Sequence, residues 1–230
     1  MVPLVASGCS SPLTWAVERP AGSAAAFHAR EMPAVVSRSV WIHEVSAPAL
    51  VLGSSQRPDI VDDATIGSME VVRRRSGGGA VLLIPDEVVW IDVLIPTGDP
   101  LWSDDVSHAS HWLGDVWVAA LGHGKVHRGP MVRTRWSSLV CFAGLGPGEV
   151  TVDGRKLVGI SQRRTRVGAR FQCAVYSLHD PSVLPTLLRL SPSERAECTA
   201  ALASVATVPS ASDPLSRFLD ALPSSCGWAD

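Results

Sequence analysis

The residue types best able to do chemistry fall in three places. The first is Arg73-Arg74-Arg75-Ser76-Gly77-Gly78-Gly79-Ala80-Val81. Glycine loses more conformational freedom on folding than any other residue, so a run of three is costly. What it offers is positive-φ conformations and a backbone that a ligand can approach with no Cβ in the way. Bare N–H groups in such a loop can cradle an anion. The arginines ahead of it add fixed charge in a fork that matches carboxylate and phosphate. A plain hairpin turn is the other use of such a stretch. No Gly-Lys-Ser/Thr follows, and the spacing is not G-x-G-x-x-G, so neither common nucleotide loop is present. On an extended chain Arg73 and Arg75 share a face and Arg74 takes the other, so the three cannot all meet one ligand.

The second place is Lys156, just after the Asp153-Gly154 turn of a predicted hairpin from Glu149 to Ile160. Asp-Gly between β-formers is the strongest short hairpin signal. Alternation puts Lys156 and Val158 on one face of the returning strand. A lysine there points into a site or, more commonly, into water. The third place is Cys141, between the apolar Leu139-Val140 and a loop rich in Gly and Pro (Gly144, Gly146, Pro147, Gly148). It is a nucleophile if a cation lowers its pKa, and a small buried hydrophobe if none does. Arg163, Arg164, Arg166 and Arg170 follow as a basic run, either a solvated strand end or a landing surface for an acidic partner. His108/His111 and His123/His127 have no cysteine or carboxylate at metal-ligand spacing, so no metal site is expected.

These residues need a frame. Ser39 to His43, Ala49 to Gly53, Met69 to Val72, Ala80 to Ile84, Val88 to Ile95 and Arg170 to Ser177 read as strands. Ile60 to Gly67 reads as a short helix. Val106, Ala109, Trp112, Leu113, Val116, Trp117 and Ala120 recur in steps of three and four. That spacing predicts a helix over Val106 to Leu121, capped by the Asp104-Asp105 segment and stopped by Gly122. Pro181 to Leu190, Ser193 to Ala203 (with Ser193 as N-cap) and Asp213 to Leu222 also read as helices. Residues 1–34, rich in Pro, Ala and Ser, predict a loosely packed entry with one short helix near Ala21 to Arg30. Residues 35–230 follow with no linker and no repeat, their core at about 40–190. The expected class is α+β, a single domain with a mixed sheet and helices grouped on it.

Composition bounds the function classes. Hydrophobic residues make up 46% of the chain and charged residues 18%, which supports a large core and argues against disorder. A net charge of -2 disfavours nucleic-acid binding through bulk charge. No apolar run approaches the roughly 18 residues of a membrane span. Five cysteines, without a C-x-x-C pair, suit a reducing cytoplasm. Ala6-Ser7-Gly8-Cys9 looks like a lipoprotein cleavage site. No Lys or Arg precedes it and its apolar run is short, so secretion is not expected.

Taken in order, Ala49 to Gln56, Arg73 to Val81 and Asp153 to Arg163 resemble three blocks of the lipoate–protein ligase and octanoyltransferase family. The resemblance implies the biotin/lipoate ligase catalytic-domain fold, related to class II aminoacyl-tRNA synthetases, with a mixed, largely antiparallel sheet. It implies that Arg73, Arg74, Ser76, Gly77, Gly78, Gly79, Ala80, Gly159 and Ser161 bind the acyl or acyl-adenylate group. Lys156 would stand at the activated carboxyl and stabilise the charge that develops there. Arg163, Arg164 and Arg166 would face an acidic carrier domain of a 2-oxoacid dehydrogenase or the glycine cleavage system. A ligase activates lipoate or octanoate with ATP and magnesium, and a carrier lysine attacks the acyl-adenylate. In the cysteine-dependent octanoyltransferase branch, Cys141 would instead take an octanoyl group from acyl carrier protein as a thioester, without ATP. The blocks common to both branches favour the ligase name slightly, and a non-catalytic acyl-binding module is the third alternative. Two departures stand out. Leu83 and Ile84 occupy positions where ligases commonly show His-Asp, and few residues follow the core where many bacterial ligases carry a further domain. The interleaved Gly-Arg-Gly-Arg typical of biotin–protein ligases is absent.

Overall fold

The computed structural model describes residues 14–209 and 213–224; the look-alike cleavage site at Ala6 to Cys9 lies outside them. Two sheets frame the molecule. The larger has the spatial order β1 (Ala16–Glu18), β2 (Ser39–His43), β6 (Val88–Pro96), β10 (Gly168–Tyr176), β9 (Arg155–Arg164), β8 (Val150–Val152) and β7 (Lys125–Val126). β1 and β2 run parallel and every other neighbouring pair is antiparallel. In the smaller sheet β3 (Ala49–Leu52) lies between β4 (Glu70–Arg73), parallel to it, and β5 (Val81–Leu83), antiparallel. The class is α+β with a mixed, largely antiparallel sheet, as the sequence predicts.

The pleat of β6 divides the core. Ile91, Val93 and Ile95 join Leu113, Val116 and Trp117 of α2 (His111–Leu121) and Phe218 of α5 (Pro214–Asp220). Trp90 belongs instead to the cluster shared by the small sheet, α1 (Ala24–Ala29) and α4 (Pro192–Leu202). With both faces covered, β3 and β5 are buried at every position, which is why they read as unbroken apolar runs. Each fully buried Leu, Ile or Val contributes about 1.5–3 kcal/mol, so the two clusters hold the sheet faces rigidly in place. Residues 16–29 add β1 at the sheet edge and α1, whose Phe27 packs on His43 and Trp90.

Four elements differ from the periodicity. α2 begins at His111, not Val106, because the Asp105 carboxylate accepts the Ser107 N–H and holds the preceding residues in turns. Ile60 to Gly67 forms no α-helix; a 3-10 turn at Pro58–Ile60 comes before it. The predicted Pro181 to Leu190 helix shrinks to α3 (Val183–Thr186). α4 is capped by Ser191, not Ser193. Ser191 and Glu194 form a reciprocal capping box, with Pro192 in the first helical turn.

Candidate functional site

The glycine loop leaves β4 with Arg74 buried and Arg73 and Arg75 exposed, the alternation expected of a strand. The Arg74 guanidinium donates to the carbonyls of Gly77 (2.9 Å) and Gly79 (2.8 Å). This arginine therefore shapes the loop from within. The loop packs closely against Gly53 and at Gly79, where no Cβ fits. A Cβ on Gly53 would fall 1.8 Å from the Gly78 oxygen, and one on Gly79 would fall 2.6 Å from Val140 N and 2.8 Å from Cys141 N. Backbone bonds then tie loop to cysteine: Ala80 N–H donates to Leu139 O (2.8 Å), and Cys141 N–H donates to Ala80 O (2.9 Å). Gln56 closes the triangle. Its amide donates to the Ser138 and Leu139 carbonyls, and its oxygen accepts the Gly53 N–H. Among the described residues, the N–H groups of Gly77, Gly78 and Gly79 have no acceptor.

At Lys156 strict alternation fails. The register of β8 and β9 shifts at Val150/Thr151, so Val150 faces Val158 while Thr151 faces Lys156. This β-bulge separates two side chains that alternation would place together. Val158 enters the core under α2, whereas Lys156 crosses Gly159 toward the Phe142 ring, 4.8 Å from Nζ. A Cβ on Gly159 would lie 3.4 Å from Lys156 Cε, so the glycine leaves the lysine its path. Nζ lies 2.8 Å from Glu149 Oε2 and donates to the carbonyls of Cys141 (3.2 Å) and Gly144 (3.1 Å). Glu149 also accepts the N–H groups of Gly146 and Ile160. Lys156 thus braces the 3-10 turn Cys141–Ala143.

Two cavities meet at this turn. The inner one is walled by Val51, Val81, Leu83, Trp90 and Phe142, with His28, Arg74, Ser161 and Gln172 as its polar members. The outer one is bounded by Gly77, Gly78, Gly79, Gly146, Glu149 and Lys156. Cys141, Ile160 and Ser161 line both. Cys141 Sγ would stand 3.6 Å from a Cβ on Gly78, so the free thiol lies alongside the loop.

A polar row backs the inner cavity. The Ser76 hydroxyl bonds Ser161 and Gln172, each at 3.1 Å, and Gln172 donates to Asp92 at 3.2 Å. Asp92, fully buried, also bonds His43 (2.9 Å) and Arg170 Nε (2.8 Å). Burial pushes its pKa up, but the bonds and charges of His43 and Arg170 outweigh burial and hold it at about 2. His28 stacks on Trp90, and its pKa is pushed down to about 3, chiefly by burial. A neutral imidazole therefore faces the inner cavity, and the apolar walls suit a hydrocarbon chain.

Of the residues singled out in the sequence, Arg74, Ser76, Gly77, Gly78, Gly79, Ala80, Cys141, Lys156, Gly159 and Ser161 gather around these cavities. Arg73 is exposed. The basic run is divided. Arg163 pairs with Glu31, as does Arg75. Arg164 donates to the Ser103 and Asp104 carbonyls and lies over Trp102. Arg170 is buried on Asp92. Arg166 is exposed, with no side-chain partner among the described residues. Sequence reasoning missed Glu149, Gln172, His28 and Asp92. A lone carboxylate in a Gly/Pro loop, and a lone aspartate inside the apolar run Val88 to Ile95, were the available signals. Among the described residues, no three His, Cys, Asp or Glu side chains stand together as a metal set.

The lipoyl protein ligase A/B catalytic domain model matches residues 28–222. No curated protein sequence matches the chain. Among solved structures, one of a bi-partite lipoate protein ligase and its E2 lipoyl domain from Thermoplasma acidophilum superposes with a TM-score of 0.60 at 14% identity, covering 84% of this chain and 73% of that one. The T. acidophilum lipoate protein ligase candidate Ta0514, with bound lipoic acid, gives 0.55 at 12% identity, covering 85% and 88%. A lipoate-protein ligase A bound with ATP gives 0.53 at 13% identity, covering 76% of each chain. At these identities the likeness is one of fold, while the family match spans most of the sequence. The glycine loop, the braced turn and the apolar cavity thus sit inside a recognised catalytic domain, and the chain belongs to the lipoyl protein ligase A/B family, enzymes of the ligase or acyltransferase type.

Proposed function

We propose that this chain transfers an octanoyl or lipoyl group to a carrier-domain lysine through a thioester on Cys141. One observation carries the reading: Cys141 lines both the apolar cavity and the outer one, beside the unpartnered N–H groups of the glycine loop. The acyl chain fills the inner cavity, which places its carbonyl carbon at the cavity junction. Cys141 Sγ attacks that carbon; the new S–C bond forms as the donor thiol departs with the proton that Cys141 gave up. The neutral amine of the acceptor lysine then attacks the same carbon. The amide forms, and the amine proton passes to the departing Cys141 sulfur. Each half passes through an oxyanion, for which the Gly77, Gly78 and Gly79 N–H groups are suitably bare donors. Lys156 holds the Cys141 turn in register with them.

The acceptor is an acidic lipoyl-carrier domain of the 2-oxoacid dehydrogenase or glycine cleavage type, met by exposed cations such as Arg73 and Arg166. The T. acidophilum ligase studied with its E2 lipoyl domain supports that class of partner. Free cysteines at 141, 173 and 198 suit a reducing cytoplasm. Intact mass after mixing with octanoyl-acyl carrier protein tests the reading. The protein should gain one octanoyl group, labile to hydroxylamine and lost in Cys141→Ser; an unmodified wild-type protein overturns it. A second reading, the ATP-dependent ligase, is supported by the fold-level matches with bound ATP and lipoic acid. It requires lipoate-dependent exchange of pyrophosphate into ATP that survives Cys141→Ser. The outer cavity offers a triphosphate one lining cation, Lys156, already paired with Glu149, which favours the transferase.

A further inference from the structure

A third cleft opens from the outer cavity and shares Gly78, Met131 and Ser137 with it. Its remaining lining is Ser55, Arg133, Thr134 and Ser138, with no acidic side chain. Arg133 differs from the other cations near the site. Arg74 is bound to loop carbonyls, Lys156 to Glu149, Arg75 and Arg163 to Glu31, and Arg135 to Glu197. Among the described residues, the Arg133 side chain has no carboxylate or carbonyl partner. Its backbone is nonetheless fixed. Val132 pairs with Leu145 through two backbone hydrogen bonds, while Thr134 is held by its own hydroxyl on Ala143 O and by its N–H on Ser137 Oγ. The hydroxyls of Ser55 and Ser138 have no partner among the described residues, and both residues line the cleft beside Arg133. One guanidinium and two free hydroxyls form the donor set of an anion site, and arginine's fork suits phosphate above other anions.

We propose that this cleft is a phosphate subsite, with Arg133 as its cation, for a phosphate ester carried on the activated acyl donor. The inference rests on the reading that an activated acyl group is delivered to the Cys141 junction, and it adds where the rest of the donor lies. The chemistry matches two sources. One is the phosphodiester at the root of a phosphopantetheine thioester arm, and the other is the phosphate of an acyl-adenylate. A single unpaired cation fits one such phosphate.

Binding of acyl-free probes tests the subsite without requiring any chemistry. By calorimetry on the full chain, 4′-phosphopantetheine should bind about tenfold more tightly than pantetheine. Arg133→Gln should abolish that preference, and Arg133→Lys should restore part of it. AMP is the parallel probe. If AMP binds and Arg133→Gln weakens it, while 4′-phosphopantetheine shows no preference over pantetheine, the subsite stands and the phosphate is that of an adenylate. Equal binding of both pantetheine probes together with AMP insensitivity to Arg133→Gln overturns the proposal, as does failure of all three to bind. Adduct formation on the wild-type protein from octanoyl-N-acetylcysteamine, which has no phosphate, separately tests the thioester reading. Its failure beside an intact phosphate preference would remove the thioester and leave the subsite.

Discussion

Lys156 Nζ and Glu149 Oε2 stand 2.8 Å apart with each side chain only 5% exposed, so the lysine carries its counter-ion within the site. Removing one member of a buried pair strands the other's charge, at a cost of about 3–5 kcal/mol. Glu149→Ala also strips acceptors from the Gly146 and Ile160 N–H groups, so its loss of stability in urea unfolding should fall in that range. Combining Lys156→Met with Glu149→Gln removes both charges and should recover part of the loss. Acyl transfer should stay down on the order of 100-fold, because methionine cannot donate to the Cys141 and Gly144 carbonyls and the turn drifts. Full activity in the double variant would show that the turn needs no brace.

The three arginines should separate cleanly. Arg74 makes a fork onto Gly77 O and Gly79 O, while Arg73 and Arg75 are exposed. Arg74→Lys keeps the charge but loses the planar fork, so transfer should fall about 10- to 100-fold. Arg73→Ala and Arg75→Ala should change stability by less than about 0.5 kcal/mol. Steady-state kinetics and thermal unfolding of the three variants check this. Equal effects at all three positions would contradict the internal role of Arg74.

Two glycines of the same loop make a matched test. A Cβ on Gly77 meets nothing within 4 Å, whereas one on Gly79 collides with the backbone of Val140 and Cys141. Gly77→Ala should therefore fold with stability within about 1 kcal/mol of wild type. Gly79→Ala must displace the Cys141 turn, because backbone cannot rotate away as a side chain can. It should destabilise by about 1–3 kcal/mol and lose labelling of Cys141 by an octanoyl donor. Intact mass and denaturant unfolding read both effects.

Much of the frame was legible, and the gaps have physical causes. β2 is read to the residue because both faces of Ser39–His43 are buried and its residues favour strands. The three blocks around Gly53, the glycine loop and Lys156 meet in space as their order along the chain suggests. β1 was invisible: three exposed residues gain their strand character only by pairing with β2. The face of Lys156 was misread because a bulge is one local extra residue, without signature in a run of alternating β-formers. Glu149's role depends on that same bulge, which turns the ammonium toward it. Asp92 draws partners from β2 and β10, so its satisfaction could not be read from its own strand.

His28 should give the protein an acid-sensitive limb well above the carboxylate range. Its pKa falls from 6.5 to about 3 in the fold, chiefly through burial, with Arg170, Arg74 and His43 adding repulsion and Asp92 opposing. Below about pH 6.5 the unfolded chain takes a proton that the folded one refuses. Stability from this group is therefore complete above 6.5 and is lost as pH falls toward 3. Linkage gives about 1.4 kcal/mol for each pH unit, or roughly 3 kcal/mol by pH 4. His111 and His179, whose pKa values are also lowered by burial, add to the same limb. Asp92 follows in a lower window. With 3.8 unfolded and about 2 folded, its contribution is present above 3.8 and disappears as pH drops through 2. His28→Phe keeps a ring on Trp90, at the loss of the 3.4 Å contact to Gln172, and removes this titration. Urea unfolding at half-unit steps from pH 7 to pH 4 should show a shallower decline in His28→Phe than in wild type. Parallel declines would mean that His28 is already charged inside the fold.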